Sequence, residues 1–314
     1  MPKEDDAVAS AEQVEHGPQR PVLAPDDKLT ALNTAVRSAL MALPGEFEFP
    51  HPVSGVNATD LFSLNTFLGA GIELEVIRTL NGLRHIWDKE NQWSEYRFER
   101  SNQAFPDVRL VRHHLDGAED IALGIELKGW WMLAKEGVPS GRYVPSPEAC
   151  APHDLICVVP WYLSSAISGL PQVVEPWIES ARYAAEWRDY WWQNVRDSKG
   201  TDTSISYPEG ARPYPEKANR VNAVAAEDSG GNFGRLPRSR PLMDSFIKQT
   251  MAVPVLGIRT DAWVSFLQLH RGSATPESIM EKLQRRIKKQ DRKLADGTAA
   301  EILATLKEVA DLLP

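Results

Sequence analysis

The chain has 314 residues and a formal net charge of −8 at pH 7, with 42% hydrophobic and 25% charged residues. This balance is typical of a globular protein that buries one large core or two smaller ones, and it argues against a protein that coats nucleic acid nonspecifically. No run of about 18 apolar residues and no basic-then-apolar N-terminus is present. We therefore expect no membrane span, no signal peptide and a cytoplasmic location.

The first part of the chain predicts a tail followed by two helical regions. Residues 1–27 are rich in Pro, Glu and Asp without hydrophobic periodicity, which predicts a disordered tail. An amphipathic helix is predicted from Asp27 to Pro44, and a second helical region is predicted from Asn57 to Trp87.

The second helical region contains a candidate acidic ligand. Counting 100° per residue, Glu73 lies on the same face as Val76, Ile77 and Leu80, whereas Glu75 is predicted to face solvent. Glu73 can therefore contribute to a site in the interior. The alternative is that Glu73 extends to solvent from the edge of the apolar face.

A predicted hairpin over residues 105–131 places charged groups inside apolar strands. The segments VRLV and IALGIELKGWW are strand-like and flank a polar turn that contains Asp116-Gly117. Because side chains repeat with period two along a strand, Glu126 and Lys128 emerge on one face, about 6.6 Å apart. An antiparallel neighbour would bring Asp107 beside Glu126. Two carboxylates and a lysine in this arrangement can hold a hard divalent cation and a water molecule.

Pro106-Asp107, the hairpin and Glu126-Leu127-Lys128 together resemble the signature of the PD-(D/E)XK nucleases, which include many type II restriction endonucleases. The resemblance implies that Asp107 and Glu126 bind Mg²⁺ and that Lys128 orients or helps to deprotonate the attacking water. Glu73 matches, by position, a glutamate that this family places on the helix before the hairpin, as a further metal ligand. The resemblance also implies an α/β fold, with a mixed β-sheet flanked by helices in a restriction-endonuclease-like core.

The signature is short, so an alternative must be weighed. An acid two residues before a lysine occurs four times in the chain, but only Glu126 and Lys128 lie in an apolar strand. The alternative is an exposed strand with an ordinary Glu and Lys. The surrounding leucine, isoleucine and tryptophan residues favour burial, where charges are costly unless they are paired or bound to metal.

After the hairpin, the sequence predicts a loop, a buried strand that ends at Pro160 and a helix that starts near Pro176. The aromatic residues of that helix are expected to serve packing rather than base stacking. No regular element is predicted for residues 199–242, which are expected to form a mobile loop. One or two strands are predicted from Val253. The two cysteines, Cys150 and Cys157, lack the number and spacing of a zinc site or disulfide framework and are predicted to be buried thiols.

Two basic regions are candidates for contact with DNA. The 199–242 loop carries Arg235, Arg238 and Arg240, which suit base recognition. The predicted helix over 271–293 has eight Lys or Arg residues against three acids. Its cluster of Arg285, Arg286, Lys288 and Lys289 suits phosphate contact, although such a run can also be a solvated helix face. The helix bearing Arg182 and Arg188 is a third candidate surface.

The sequence therefore predicts a nuclease domain over 28–270 and a C-terminal helical pair over 271–314, with helical additions at both ends of the core. The predicted function is Mg²⁺-dependent hydrolysis of double-stranded DNA, as in a restriction enzyme. The enzyme is expected to be a homodimer and to have no membrane partner. The alternatives are a non-catalytic DNA-binding or scaffold protein and another metal-dependent hydrolase. His113 and His114 would be the first suspects in that hydrolase, although neighbouring strand residues point to opposite faces.

Overall fold

The structure is a computed structural model that describes residues 9–54, 61–101, 105–216 and 220–268, together with residues 281 and 285. Within these ranges the α-helices are α1 (Ala11–Glu15), α2 (Lys28–Met41), α3 (Leu43–Glu46), α4 (Leu61–Gly82), α5 (Arg84–Trp87), α6 (Ala181–Tyr190), α7 (Asp244–Ala252) and α8 (Thr260–Leu267). The strands are β1 (Arg97–Arg100), β2 (Val108–His113), β3 (Glu119–Trp131), β4 (Leu155–Leu163), β5 (Pro171–Val173), β6 (Trp177–Ser180), β7 (Ile205–Ser206), β8 (Val224–Ala225), β9 (Pro254–Val255) and β10 (Ile258–Arg259). Contacts divide the chain into two compact units, Met1–Asp261 and Ala262–Pro314.

The first unit is built on a six-stranded mixed sheet. Strands β1, β2 and β3 are antiparallel, β3 and β4 are parallel, and both β5 and β6 pair antiparallel with the far side of β4. Helix α4 packs on β1 and β3, whereas α6 packs on β4 and β6. The prediction of an α/β protein with a mixed sheet flanked by helices is thus confirmed.

Strands β2 and β3 form the predicted hairpin. Val108 is opposite Ile125 and His113 is opposite Glu119, with one register shift between Leu110 and Val111. The turn includes Gly117, whose φ of 85° is in the left-handed region that favours glycine. Strand β1 precedes the hairpin and pairs with β2, with Arg97 opposite Val111.

Side chains on the two faces of β3 explain why it is buried along most of its length. Leu123, Ile125 and Leu127 are almost fully buried on one face. On the other face, Trp130 joins an apolar cluster that includes Ile156 of β4 and Ala184 of α6. Burial of both faces stabilises the sheet through removal of apolar surface from water.

Strand β4 continues through Pro160 to Leu163, so the predicted end at Pro160 is wrong. Pairing with β6 ends at Val158, and pairing with β5 begins at Trp161. Pro160 therefore lies where neither neighbour requires its missing N–H, which is the position that tolerates proline in a sheet.

The predicted helix at Pro176 begins later, at Ala181. Trp177–Ser180 form β6 instead, and the Ser180 hydroxyl accepts a hydrogen bond from the Tyr183 N–H at 3.3 Å as the helix cap. The tryptophans Trp187 and Trp192 are 2% and 1% exposed, which agrees with their predicted packing role.

Residues 9–27 differ from the predicted disordered tail. Ser10 caps α1 through a capping box, and Arg20 pairs with Glu179 at 2.8 Å and stacks over the Tyr183 ring. Arg20 and Glu179 are 159 residues apart in the chain, so local composition does not reveal their contact. Residues 1–8 lie outside the described part.

The 199–242 segment is mostly irregular, as predicted, but it is packed rather than loose. Its short strands β7 and β8 pair with each other, and Phe233 and Leu236 are buried. The following helix α7 was not predicted. The region from Val253 forms the small β9–β10 hairpin and then α8, where one or two strands were predicted.

The predicted C-terminal helical pair over 271–314 lies outside the described residues apart from Glu281 and Arg285, which are helical. In the part of the chain that the structure describes, no helix has the length and apolar character needed to cross a membrane.

Candidate active site

The hairpin register brings the two predicted acids together. Asp107 immediately precedes β2, and because Val108 pairs with Ile125, Asp107 is adjacent to Glu126 on β3. The Asp107 N–H donates to Glu126 Oε2 at 3.3 Å, and the Leu127 N–H donates to Asp107 Oδ2 at 3.0 Å. The acids are therefore placed by the backbone of the hairpin itself.

Lys128 joins the two acids. Its Nζ lies 2.7 Å from Glu126 Oε1 and 3.3 Å from Asp107 Oδ2. This contact is possible because Glu126 and Lys128 share one face of β3, as the period of two predicts. The structure thus brings together all three residues of the predicted signature.

Burial dominates the electrostatics of this triad. Glu126 is only 7% exposed, and burial raises its pKa to about 7, with a further increase from Asp107 that Lys128 opposes. Burial alone would lower the pKa of Lys128, but the charges of Glu126 and Asp107 outweigh it and raise that pKa above its ordinary value. Lys128 is therefore held as an ammonium ion.

Glu73 lies close enough to this triad to interact with it electrostatically. Burial raises its pKa, and the charge of Asp107 adds to the increase, whereas Lys128 and Arg100 oppose it. Its Oε2 lies 4.0 Å from an Arg100 nitrogen, and its side chain is 25% exposed. The structure therefore places Glu73 at the margin of the triad rather than in direct contact with Lys128.

The prediction that Glu75 faces solvent is wrong. Its side chain is 12% exposed, less than that of Glu73, and it pairs with the Arg78 guanidinium at 2.8 Å. A helical phase angle describes one helix only, and it does not include the elements that pack against that helix.

Gly124 and Asp154 support the site and were not singled out from the sequence. A side chain at Gly124 would lie 2.5 Å from Pro106 Cγ and 2.9 Å from Asp154 Oδ1, so only glycine fits there. Asp154 accepts hydrogen bonds from the N–H groups of Gly124 and Ala151 and from the Tyr214 hydroxyl, at 2.7, 2.8 and 2.6 Å. Burial raises the pKa of Asp154 to about 6.

The predicted DNA-contact arginines of the 199–242 segment have partners within the protein. Arg235 donates to the Gly231 carbonyl at 3.0 Å, and Arg238 donates to Asn232. Arg240 donates to Asp244 at 2.9 Å. Two of these three contacts lie within the 199–242 segment, and the third reaches α7.

Only some of the other predicted DNA-contact residues lie in the part of the chain that the structure describes. Arg285 is paired with Glu281, whereas Arg286, Lys288 and Lys289 lie outside the described residues. On the third candidate surface, Arg188 is not available, because it is 1% exposed and donates to the carbonyls of Tyr143 and Pro145.

The protein groups of the site can supply only part of the ligand set of Mg²⁺. Among the described residues, no group of three or more His, Cys, Asp or Glu side chains is arranged to hold a metal ion. Mg²⁺, however, is commonly held by one or two carboxylates, with water and substrate phosphate as its other ligands. Asp107 and Glu126 supply such a pair of hard oxygen ligands.

Comparisons of the chain with protein-family models, with curated proteins and with solved structures found no match. Function must therefore be argued from the site.

Proposed function

We propose that this protein is a Mg²⁺-dependent endonuclease that hydrolyses phosphodiester bonds in double-stranded DNA. The observation that carries the proposal is the contact of Lys128 Nζ with Glu126 Oε1 at 2.7 Å and with Asp107 Oδ2 at 3.3 Å, at a mostly buried end of the β2–β3 hairpin. In an ordinary exposed strand, water would stabilise the charge of the glutamate. Glu126 is instead 7% exposed, so its charge needs a counter-charge or a metal ion.

Each residue of the triad has a role that its surroundings support. Asp107 and Glu126 would hold the cation through carboxylate oxygens, and Glu73 would adjust the negative charge at the margin. Mg²⁺, when bound, offsets the charge of the phosphate and lowers the pKa of water. The raised pKa of Lys128 favours a role in orienting the nucleophile and stabilising developing negative charge over a role as proton acceptor.

The order of elements supports a finer assignment to a restriction-endonuclease-like core. Helix α4 and the one-turn helix α5 are followed by β1 and then by the β2–β3 hairpin. Apart from α5, this is the helix-then-three-strands order of the PD-(D/E)XK core. In that assignment the protein is a sequence-specific enzyme of restriction type. A two-fold homodimer would place two such sites to cut both strands of a palindrome.

The decisive experiment is cleavage of mixed DNA with Mg²⁺, followed by sequencing of the ends. Wild-type protein should cut, and Glu126→Gln should lose activity by at least about 100-fold, because a metal ligand contributes several kcal/mol to the transition state. Glu119→Gln is the matched control, since Glu119 is at the other end of β3 and pairs with Arg109 at 2.7 Å.

The outcomes separate the alternatives. Equal cleavage by wild type and Glu126→Gln would remove Glu126 from the mechanism. DNA binding without cleavage under any divalent cation would instead favour a DNA-binding or scaffold protein. For another metal-dependent hydrolase, His113 is a poor candidate because it belongs to no described group of three or more His, Cys, Asp or Glu side chains that could hold a metal ion.

A further inference from the structure

The connection between β3 and β4 forms one wall of the candidate site. A Cβ at Gly141 would lie 3.0 Å from Lys128 Cδ and 3.6 Å from Lys128 Cγ. The backbone at Gly141 therefore borders the aliphatic stem of the lysine. Small movements of this backbone must change the path that the stem takes to Asp107 and Glu126.

This wall is paired to the 199–242 segment. The Tyr143 N–H donates to the Gly234 carbonyl at 2.8 Å, and the Ala223 N–H donates to the Val144 carbonyl at 2.8 Å. The Ser146 N–H donates to the Val221 carbonyl at 2.7 Å. The 199–242 segment therefore supplies backbone hydrogen bonds that keep the wall extended.

Arg142 is the side-chain link between the wall and the segment. It donates to the Phe233 carbonyl at 2.8 Å and to Asp228 Oδ2 at 2.7 Å. The other oxygen of Asp228 accepts from the N–H groups of Asn232 and Phe233 at 2.6 and 3.0 Å, which orders the loop around the carboxylate. Arg142 thus binds a loop that is already folded around Asp228.

The fit between the two segments is close. Gly234 has φ 86°, and a Cβ there would lie 2.6 Å from Val144 Cγ1 and 2.9 Å from the Tyr143 carbonyl oxygen. Arg188 also donates to the carbonyls of Tyr143 and Pro145, at 3.0 and 2.9 Å. The position of the wall therefore depends on its contacts with both Gly234 and Arg188.

We propose that the loop over residues 228–234 positions Lys128 through Arg142 and Gly141. Arg142 is then a positioning residue for the lysine, and the 199–242 segment is a support of the active site as well as a candidate DNA surface. The kinetic consequence rests on the proposed nuclease function. The geometric consequence, a fixed path for the Lys128 stem, does not.

The geometric test uses acetylation of the folded protein by N-hydroxysuccinimide acetate, followed by proteolytic digestion and mass spectrometry of the peptides that contain Lys128 and Lys89. In the wild type, Lys128 should react several-fold more slowly than the exposed Lys89, because its ammonium is held between two carboxylates. In Arg142→Met and in Gly141→Ala, Lys128 should be acetylated several-fold faster than in the wild type, so that its rate approaches that of Lys89. Arg142→Lys, which keeps a donor for Asp228, should restore much of the protection. Arg259→Met, which removes an exposed arginine that pairs with Asp261, should change nothing.

The kinetic test separates positioning from DNA contact. In Arg142→Met, kcat for DNA cleavage should fall by about tenfold or more, since small displacements of a catalytic group are costly, while KM stays near the wild-type value. A raised KM with unchanged kcat would instead make Arg142 a DNA contact and overturn the proposal.

Unchanged Lys128 acetylation in folded Arg142→Met and Gly141→Ala proteins would also overturn the proposal. Circular dichroism and thermal unfolding establish that the variants are folded. Absence of cleavage by the wild type would count against the nuclease function alone, because the acetylation comparison still decides whether the loop positions Lys128.

Discussion

Glu126 and Lys128 tolerate burial because each is a counter-charge for the other. An isolated charge in an apolar strand would be neutralised by a pKa shift, and the pKa of Glu126 is indeed raised to about 7. Removal of one partner from such a pair leaves an uncompensated charge, which is usually more costly than removal of the pair as a whole. Substitutions in the triad must therefore be tested for folding as well as for activity.

The raised pKa of Glu126 predicts a pH dependence of metal binding. Only the ionised carboxylate binds a cation, so Mg²⁺ affinity and cleavage should both increase between about pH 6 and about pH 8. Since a bound cation favours the ionised form, the midpoint should lie at or below the pKa of about 7. Isothermal titration calorimetry at several pH values measures the affinity. A flat profile would show that Glu126 is already ionised at the lowest pH.

Folding stability should change with pH in the opposite direction. The folded protein binds the Glu126 proton more tightly than the unfolded chain, because the pKa rises from an ordinary 4.5 to about 7. The contribution of this group to the free energy of unfolding is therefore largest below pH 4.5 and falls as the pH rises to about 7.

The cysteines provide a prediction that is independent of the nuclease function. Cys150 and Cys157 are buried, free thiols, as predicted, and burial raises the pKa of each to about 12. Because the thiolate is the reactive form, iodoacetamide at neutral pH should modify neither residue in the folded protein and both in denaturant. Mass spectrometry detects the label. Rapid labelling of either cysteine without denaturant would contradict its buried position.

Some site residues could be predicted from the sequence because strand geometry is simple. A period of two places Glu126 and Lys128 on one face, and an antiparallel hairpin places Asp107 beside Glu126. The burial of Glu75 could not be predicted, because helical phase does not include the elements that pack against α4. Asp154 could not be predicted either, since its partner Tyr214 is 60 residues away.

The β2–β3 hairpin depends on close contact at Gly124. This residue leaves room for Pro106, which precedes Asp107, and for the Asp154 carboxylate at the start of β4. The two strands that carry the acids are thus connected to β4 at the same point. A larger residue at this point must displace at least one of them.

Gly124→Ala should therefore lower the free energy of unfolding by about 1–3 kcal/mol, which is the usual cost of overpacking. Urea denaturation measures the change. Gly82→Ala is the matched control, because the end of α4 has no atom within 4 Å of the added methyl group. Ala has the higher helix propensity, so Gly82→Ala should leave stability unchanged or increase it by up to about 1 kcal/mol. Equal effects of the two substitutions would contradict the close contact.

The hairpin could be predicted because it depends on local pattern, whereas the end of β4 and the order of the 199–242 segment depend on distant partners. The β2–β3 hairpin follows from alternation and from Asp116-Gly117. Continuation of β4 beyond Pro160 depends on where β5 and β6 pair with it. Order in the 199–242 segment depends on its contacts with Tyr143, Val144 and Ser146, which no local composition reveals.

At the scale of the molecule, DNA binding must overcome a net charge of −8. The basic residues must then be concentrated near the phosphates. Arg235, Arg238 and Arg240 have hydrogen-bond partners inside the protein. To contact DNA bases, these arginines would have to break those hydrogen bonds. Substitution of all three with Ala should reduce discrimination between cognate and other sites, measured by competition binding. Unchanged discrimination would leave them a purely structural role.

The basic cluster of Arg285, Arg286, Lys288 and Lys289 should act differently, through charge alone. Arg285 pairs with Glu281, but its side chain is 71% exposed, and exposed pairs of this kind are weak enough to exchange for a phosphate. Substitution of all four with Ala should weaken binding to every DNA sequence alike. The slope of log affinity against log salt concentration should become shallower by about 0.9 for each phosphate that the variant no longer neutralises.

A charge-matched control separates the position of these residues from the total charge. Lys89, Arg97, Lys248 and Arg259 are exposed in the first unit, and their substitution with Ala removes the same number of positive charges. Fluorescence anisotropy with labelled duplex DNA over a range of salt concentrations gives both slopes. The cluster variant should have the shallower slope, because only charges near phosphates release counterions on binding. Equal slopes for the two variants would mean that the phosphates are bound elsewhere on the protein.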